Sequence, residues 1–147
     1  MYVQEAICHA VDKRAVLEEL WRVLKRGGSL ALLEYCDNES EQTPSYHAWL
    51  DEWFMPSLIT TREFLEFCDH KGENGKISDI SGNMEPSLRR LNQMCTATYP
   101  GQWLLAQLRL RSRVQLGNTK ASMSMWKSFT RRDWSYYLLS VEKTGAK

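Results

Sequence analysis

Apolar residues recur at Val16, Leu17, Leu20, Trp21, Val23 and Leu24, with Lys13, Arg14, Glu18, Glu19, Arg22 and Lys25 between them. This spacing places the two sets on opposite faces of one helix. Asp12 is placed to cap its start, Glu18 and Arg22 stand at i,i+4, and Gly27-Gly28 ends it. Residues 29–35 (SLALLEY) are almost continuously apolar, the pattern of a strand covered on both faces in a parallel sheet. Residues 2–8 (YVQEAIC) read as the end of an earlier strand running into a loop.

A polar loop follows over 36–45, then near-helical spacing of Tyr46, Trp49, Leu50, Trp53 and Phe54. Thr60 or Thr61 caps a helix through Phe64, Leu65 and Phe67. A turn over 70–76 leads to a weak strand over 76–80. Pro86 is set to open a helix over 86–95, and a longer one over 102–116 is expected to stop at Gly117-Asn118. Met123, Trp126 and Phe129 mark one more short helix, and residues 133–143 (DWSYYLLSVEK) a final strand. Alternating strands and helices predict an α/β parallel sheet in a single domain over 1–147. The helical insertion over 84–130 is expected to cap the carboxyl ends of the strands, where ligands bind in open α/β sheets.

Composition narrows this picture. Hydrophobic residues make up 43% of the chain and charged residues 25%, which excludes a disordered class. A net charge of +1 predicts neither nucleic acid nor an anionic membrane as partner. Neither a signal segment nor a membrane span is evident, and the four cysteines form no C-x-x-C pair, so a reduced cytoplasmic setting with free thiols is expected. Cys8, His9 and Cys36 match no common zinc spacing. Six Trp, six Tyr and four Phe exceed what a core of this size needs and suggest an apolar pocket or interface.

The stretch YVQEAICHAV resembles a block of class I S-adenosylmethionine-dependent methyltransferases of the sterol C-methyltransferase branch. That block is close to Y-A-I-E-A-T-x-H-A-P and lies at the fourth strand of the family's sheet. Tyr2, Glu5, Ala6, His9 and Ala10 stand in matching places. The run WRVLKRGGSLALLEY resembles the following R-V-L-K-P-G-G helix end and a strand closing on an acid and an aromatic, through Arg22, Val23, Leu24, Lys25, Gly27, Gly28, Glu34 and Tyr35. Arg26 replaces the turn proline, and Val11 the proline that closes the block. The match is specific over 2–35 and topological beyond it.

The resemblance implies half of a Rossmann-like methyltransferase sheet, with strands equivalent to 4-5-7-6 and a helical cap. It also implies what is missing. The family holds its cofactor with a glycine-rich loop and an acid from the first half of the domain, and this chain has no G-x-G-x-G. No cofactor is expected on the isolated chain; S-adenosylmethionine would bind only if a partner supplied the glycine-rich half. The fourth-strand edge, without its neighbour, predicts a homo-oligomer or pairing with a partner half-domain.

By the same resemblance Tyr2, Glu5 and His9 face the substrate, with Glu34 a second carboxylate. Independently, Glu5 stands in an otherwise apolar stretch, a setting that suits acid–base work. His9 carries the side chain best suited to proton transfer near neutrality. The plainer alternatives are that Glu5 caps or pairs with a base such as Arg14, and that His9 is a loop histidine. Trp49, Trp53, Phe54, Trp103 and Trp126 are the candidates to line a pocket for an isoprenoid-like substrate and its cationic states, with core packing as the alternative. Arg109, Arg111 and Arg113 alternate with apolar residues; a solvated face explains them most simply. Three functions follow: cofactor-independent isomerisation or cyclisation of a terpenoid-like molecule, the substrate half of a split methyltransferase, or a non-catalytic subunit or inactive fragment.

Overall fold

The computed structural model describes residues 1–144. Its centre is β2 (Ser29–Asp37), whose alternation buries side chains on both faces. Along one edge β5 (Trp134–Glu142) pairs antiparallel over nine residues, from Ser29↔Glu142 to Asp37↔Trp134. Along the other edge two short parallel strands lie end to end. The first is β1 (Tyr2–Gln4), against Ala31 to Leu33, and the second is β3 (Ile59–Thr60), against Cys36 and Asp37. With β4 (Lys76–Asp79) antiparallel on β5, the order is β1-β2-β5-β4. This is the 4-5-7-6 arrangement that the resemblance implies; β3 is an addition, too short to show as an apolar period.

One face of the sheet is covered by α1 (Lys13–Val23) and α3 (Thr61–His70). Ile7, Leu17, Leu30, Leu32, Phe64, Phe67 and Leu139 form that core. Local signals set both helices. The Asp12 carboxylate accepts from Ala15 N, and Thr60 and Glu63 form a complete capping box. Gly27 takes φ 73, the left-handed turn that carries the chain into β2. Two details of the surface differ from expectation. Arg22 bonds Glu19 rather than Glu18, whose carboxylate is taken by Lys71 from α3. Lys13 is buried, its ammonium donating to Ala10 O and Ser57 Oγ, and burial lowers its pKa.

The opposite face is covered at the carboxyl end of β2 by α2 (Pro44–Glu52) and by a long hairpin of α4 (Ser81–Gln107) and α5 (Arg113–Thr130). Here sequence signals mislead. Pro86 does not open a helix and Pro100 does not break one: both lie inside α4. Neither has an N–H to offer, but both sit on a partly or fully exposed surface, where water can take up the freed carbonyls. The expected stop at Gly117-Asn118 lies within α5. Gly117 is buried where Glu52 of α2 crosses; a Cβ there would come 2.2 Å from Glu52 Oε2. The real break is 108–112, after which Ser112 and Gln115 form a second capping box.

Candidate functional site

The carboxyl ends of β1 and β2 and the start of β5 converge at one end of the sheet. Antiparallel register sets Tyr35 directly beside Tyr136, their rings 5.2 Å apart. Glu5 follows β1 with φ 49, an uncommon conformation for a residue with a Cβ, while its N–H still reaches Leu33 O at 2.9 Å. That twist ends the strand and leaves Glu5 Oε1 to accept from the Tyr136 hydroxyl at 2.8 Å. Gln4 Nε2 donates to the same oxygen at 3.4 Å, and the Tyr2 hydroxyl donates to Gln4 Oε1 at 2.7 Å. Tyr2, Gln4, Glu5 and Tyr136 thus form one hydrogen-bonded row across the sheet, with Tyr35 beneath it.

Burial, then the Glu5 carboxylate beside them, raises the pKa of both Tyr35 and Tyr136. Both phenols therefore stay protonated, and Tyr136 serves as a donor to Glu5. Behind them stands an aromatic wall. Tyr35 meets Trp49 and Trp134 edge-on at 5.4 and 5.3 Å, and Trp49 lies 4.8 Å from Trp134. Leu88, Ala121 and Met125 of the hairpin close over this cluster.

Glu34 takes a different place from the one expected. It is fully buried, and its Oε1 accepts from Ala6 N at 2.8 Å and Ile7 N at 2.9 Å. Those are the free N–H groups of the 3-10 turn Ile7–His9. A carboxylate so used holds the turn that carries Glu5. Its Oε2 has no partner, and burial raises its pKa despite the backbone donors. Burial, with Glu34 next, pushes the neighbouring Cys8 thiol up to about 12. His9 is exposed at the rim of the turn and makes no side-chain hydrogen bond to another described residue.

Of the five aromatics proposed for a pocket only Trp49 and Trp53 meet. Trp49 is fully buried in the core, with Trp53 half-buried 6.1 Å away. Phe54, at φ 54 after α2, is 79% exposed, and Trp103 is 48% exposed on α4. Trp126 sits with Phe129 along a 660 Å³ cleft that also includes Asp79, Glu85 and Arg132. A second cavity, 520 Å³ between α4 and α5, has Tyr99, Trp103, Arg113 and Lys120 on its walls. Neither includes Glu5, whose row is an open shelf on the sheet. Sequence reading missed Tyr136 and Gln4. The period-two pattern Trp134, Tyr136 was visible, but its partner across the sheet was not.

A methyltransferase cofactor would need a glycine-rich strand-to-helix loop. The link from β1 to α1 has no glycine, and Gly82 after β4 has Asp79 and Glu85 for neighbours. The described residues do not build that cradle. Nor do any three His, Cys, Asp or Glu among them cluster as a metal site.

No family model and no curated protein matches the sequence. Solved structures do match. Phosphoethanolamine N-methyltransferase 2 from Haemonchus contortus aligns with 98% of this chain and 33% of its own, at TM-score 0.68 and 15% identity. Geranyl diphosphate C-methyltransferase from Streptomyces coelicolor aligns with 97% of this chain and 45% of its own, at TM-score 0.65 and 17% identity. The (4+2)-cyclase SpnF aligns with 98% of this chain and 49% of its own, at TM-score 0.65 and 16% identity. The chain therefore spans a third to a half of the length of these proteins. Over that span its fold is that of the class I S-adenosylmethionine-dependent methyltransferases.

Proposed function

We propose that the chain binds an apolar, isoprenoid-like molecule and isomerises or cyclises it by acid–base chemistry at Glu5, without a cofactor of its own. The observation that carries this reading is the 2.8 Å hydrogen bond from Tyr136 to Glu5 Oε1, on a shelf backed by Tyr35 and Trp134. Protonated Glu5 gives its proton to one alkene carbon, the π pair forming the new C–H bond. The adjacent carbon becomes cationic, and aromatic faces favour such charge. The Glu5 carboxylate then takes a proton from a neighbouring carbon, whose C–H pair closes a new double bond. The sum is an isomerisation with no change in oxidation state; attack of a second alkene on the cation before proton loss gives a ring. Tyr136 holds the carboxylate in place. A (4+2)-cyclase among the solved structures of similar fold supports the reading.

The test is extraction of the purified chain for a bound apolar molecule by native mass spectrometry, followed by turnover of that molecule. Glu5→Gln is expected to abolish turnover. Full turnover in Glu5→Gln, or no apolar ligand at all, overturns the reading.

A second reading rests on a separate observation. β1 is an edge strand, open on the side away from β2, and the matched proteins are two to three times longer. In this reading the chain is the substrate half of a C-methyltransferase of the sterol type. Its edge pairs with a polypeptide that carries the glycine-rich loop. Calorimetry with S-adenosylmethionine separates the two: no heat on the isolated chain and binding after a partner is added favour the second.

A further inference from the structure

The net charge of +1 hides a separation. From 86 to 132 the sequence has nine Lys and Arg and not one Asp or Glu; all 18 acids lie elsewhere. That segment is α5 with all of α4 beyond its first five residues, the last of which is Glu85. Among the described residues only Arg89 of the nine lies within ion-pair distance of an acid, Glu85. The hairpin also carries the main exposed apolar surface of the protein. Between Leu91 and Leu108 there is no charged residue at all. Met94, Leu104, Leu105 and Leu108 are 58, 54, 42 and 59% exposed.

These positions are ordered. Arg90, Met94, Ala97, Gly101, Leu104 and Leu108 follow one another at steps of four and three, all exposed, along one side of α4. At its far end the row continues into Leu110 and Val114, 74 and 63% exposed, interleaved with Arg109, Arg111 and Arg113. The row is a convex helix edge with arginines at both ends. Such a helix, apolar on its outer side and flanked by basic residues without acids, matches the interface of an anionic bilayer.

We infer that the α4–α5 hairpin is a peripheral docking surface for an anionic lipid bilayer, with Leu104, Leu108 and Leu110 entering the headgroup boundary and Arg109, Arg111 and Arg113 meeting its phosphates. The charge excess decides against a second copy as the occupant. Face-to-face pairing of two hairpins would bring together two surfaces with nine basic residues each, against which α4 sets only Glu85, already paired with Arg89. No helix among the described residues is long and apolar enough to cross a membrane, so the contact is with the surface alone. The inference goes beyond the proposed chemistry and stands without it: it places the chain where an apolar substrate would be dissolved.

The experiment is co-sedimentation of the chain with vesicles of phosphatidylcholine alone and of phosphatidylcholine mixed with phosphatidylserine. Binding is expected to the mixed vesicles and not to the neutral ones. The triple variant Arg109→Gln, Arg111→Gln, Arg113→Gln is expected to weaken it about a hundredfold, at about fivefold per arginine. The triple variant Leu104→Ser, Leu108→Ser, Leu110→Ser should leave only a weak attachment that salt removes. Circular dichroism checks that each variant is folded. No sedimentation with anionic vesicles, equal binding by the arginine variant, or leucine-dependent self-association by light scattering in place of vesicle binding would overturn the inference.

Discussion

The Tyr136 hydroxyl donates a 2.8 Å hydrogen bond to Glu5 Oε1, across 131 positions of sequence. It joins the first strand to the last over the intervening β2, and it turns an isolated acid at a strand end into part of a hydrogen-bonded row. Tyr136→Phe removes one donor from a half-buried carboxylate. A loss of about 1 kcal/mol is expected from urea denaturation. Under the proposed chemistry the rate falls about tenfold in Tyr136→Phe and by at least about a hundredfold in Glu5→Gln. Equal rates in the two variants would show that Tyr136 is as necessary as the acid itself.

Glu34 gives the sharpest contrast between holding a site and being one. Glu34→Ala leaves Ala6 N–H and Ile7 N–H without an acceptor in the interior and is expected to cost about 3 kcal/mol. Glu34→Gln keeps an acceptor and should cost less. A stability loss in Glu34→Gln as large as in Glu34→Ala would show that the charge, and not the acceptor, holds the turn.

The same residue fixes a pH dependence. Burial raises the Glu34 pKa, so the folded state keeps a proton that the unfolded state releases. Its contribution is fully present below the ordinary glutamate value. It declines as pH rises from there to the folded value, and is lost above it. Stability should therefore fall over that window, and in Glu34→Gln this part of the decline should vanish. Denaturation midpoints for both proteins across the acidic-to-neutral range measure it.

Thiol reactivity should separate one cysteine from three. Burial pushes Cys8 up to about 12 and Cys68 to about 11, and raises Cys36 further. Cys95 is the only one of the four that is not buried. Native alkylation followed by peptide mass spectrometry is expected to find Cys95 labelled first, with the other three modified only after unfolding. Prompt labelling of Cys8 would show that the 3-10 turn opens.

The tryptophans should divide by burial rather than by any shared pocket. Trp49→Ala is expected to cost about 4 kcal/mol, as a large core deletion. Trp103→Ala, on the exposed side of α4, should stay within about 0.5 kcal/mol. If ligand binding falls in both variants with stability unchanged, the two side chains share a site after all.

Sequence alone determined where most strands and helices lie and most of their caps, though it predicted a parallel sheet and β5 runs antiparallel to both β2 and β4. The apolar run of β2, the final strand β5, the Asp12 and Thr60 caps and the Gly27 turn are local signals, legible because each depends on residues a few positions apart. Glu5 and His9 lie just past the carboxyl end of β1. Tertiary structure alone decided the rest. The crossing of Glu52 over Gly117 and the packing of α5 on α2 carried helices through residues that would end them in isolation. Glu34 turned inward because free N–H groups of a turn 27 and 28 positions away needed an acceptor. Trp49 and Trp103, alike in sequence as aromatics on helical spacing, were parted by which side of each helix met the sheet. Periodicity reports that a helix has an apolar face. It does not report which neighbour that face finds, because that choice depends on contacts between segments far apart in the chain.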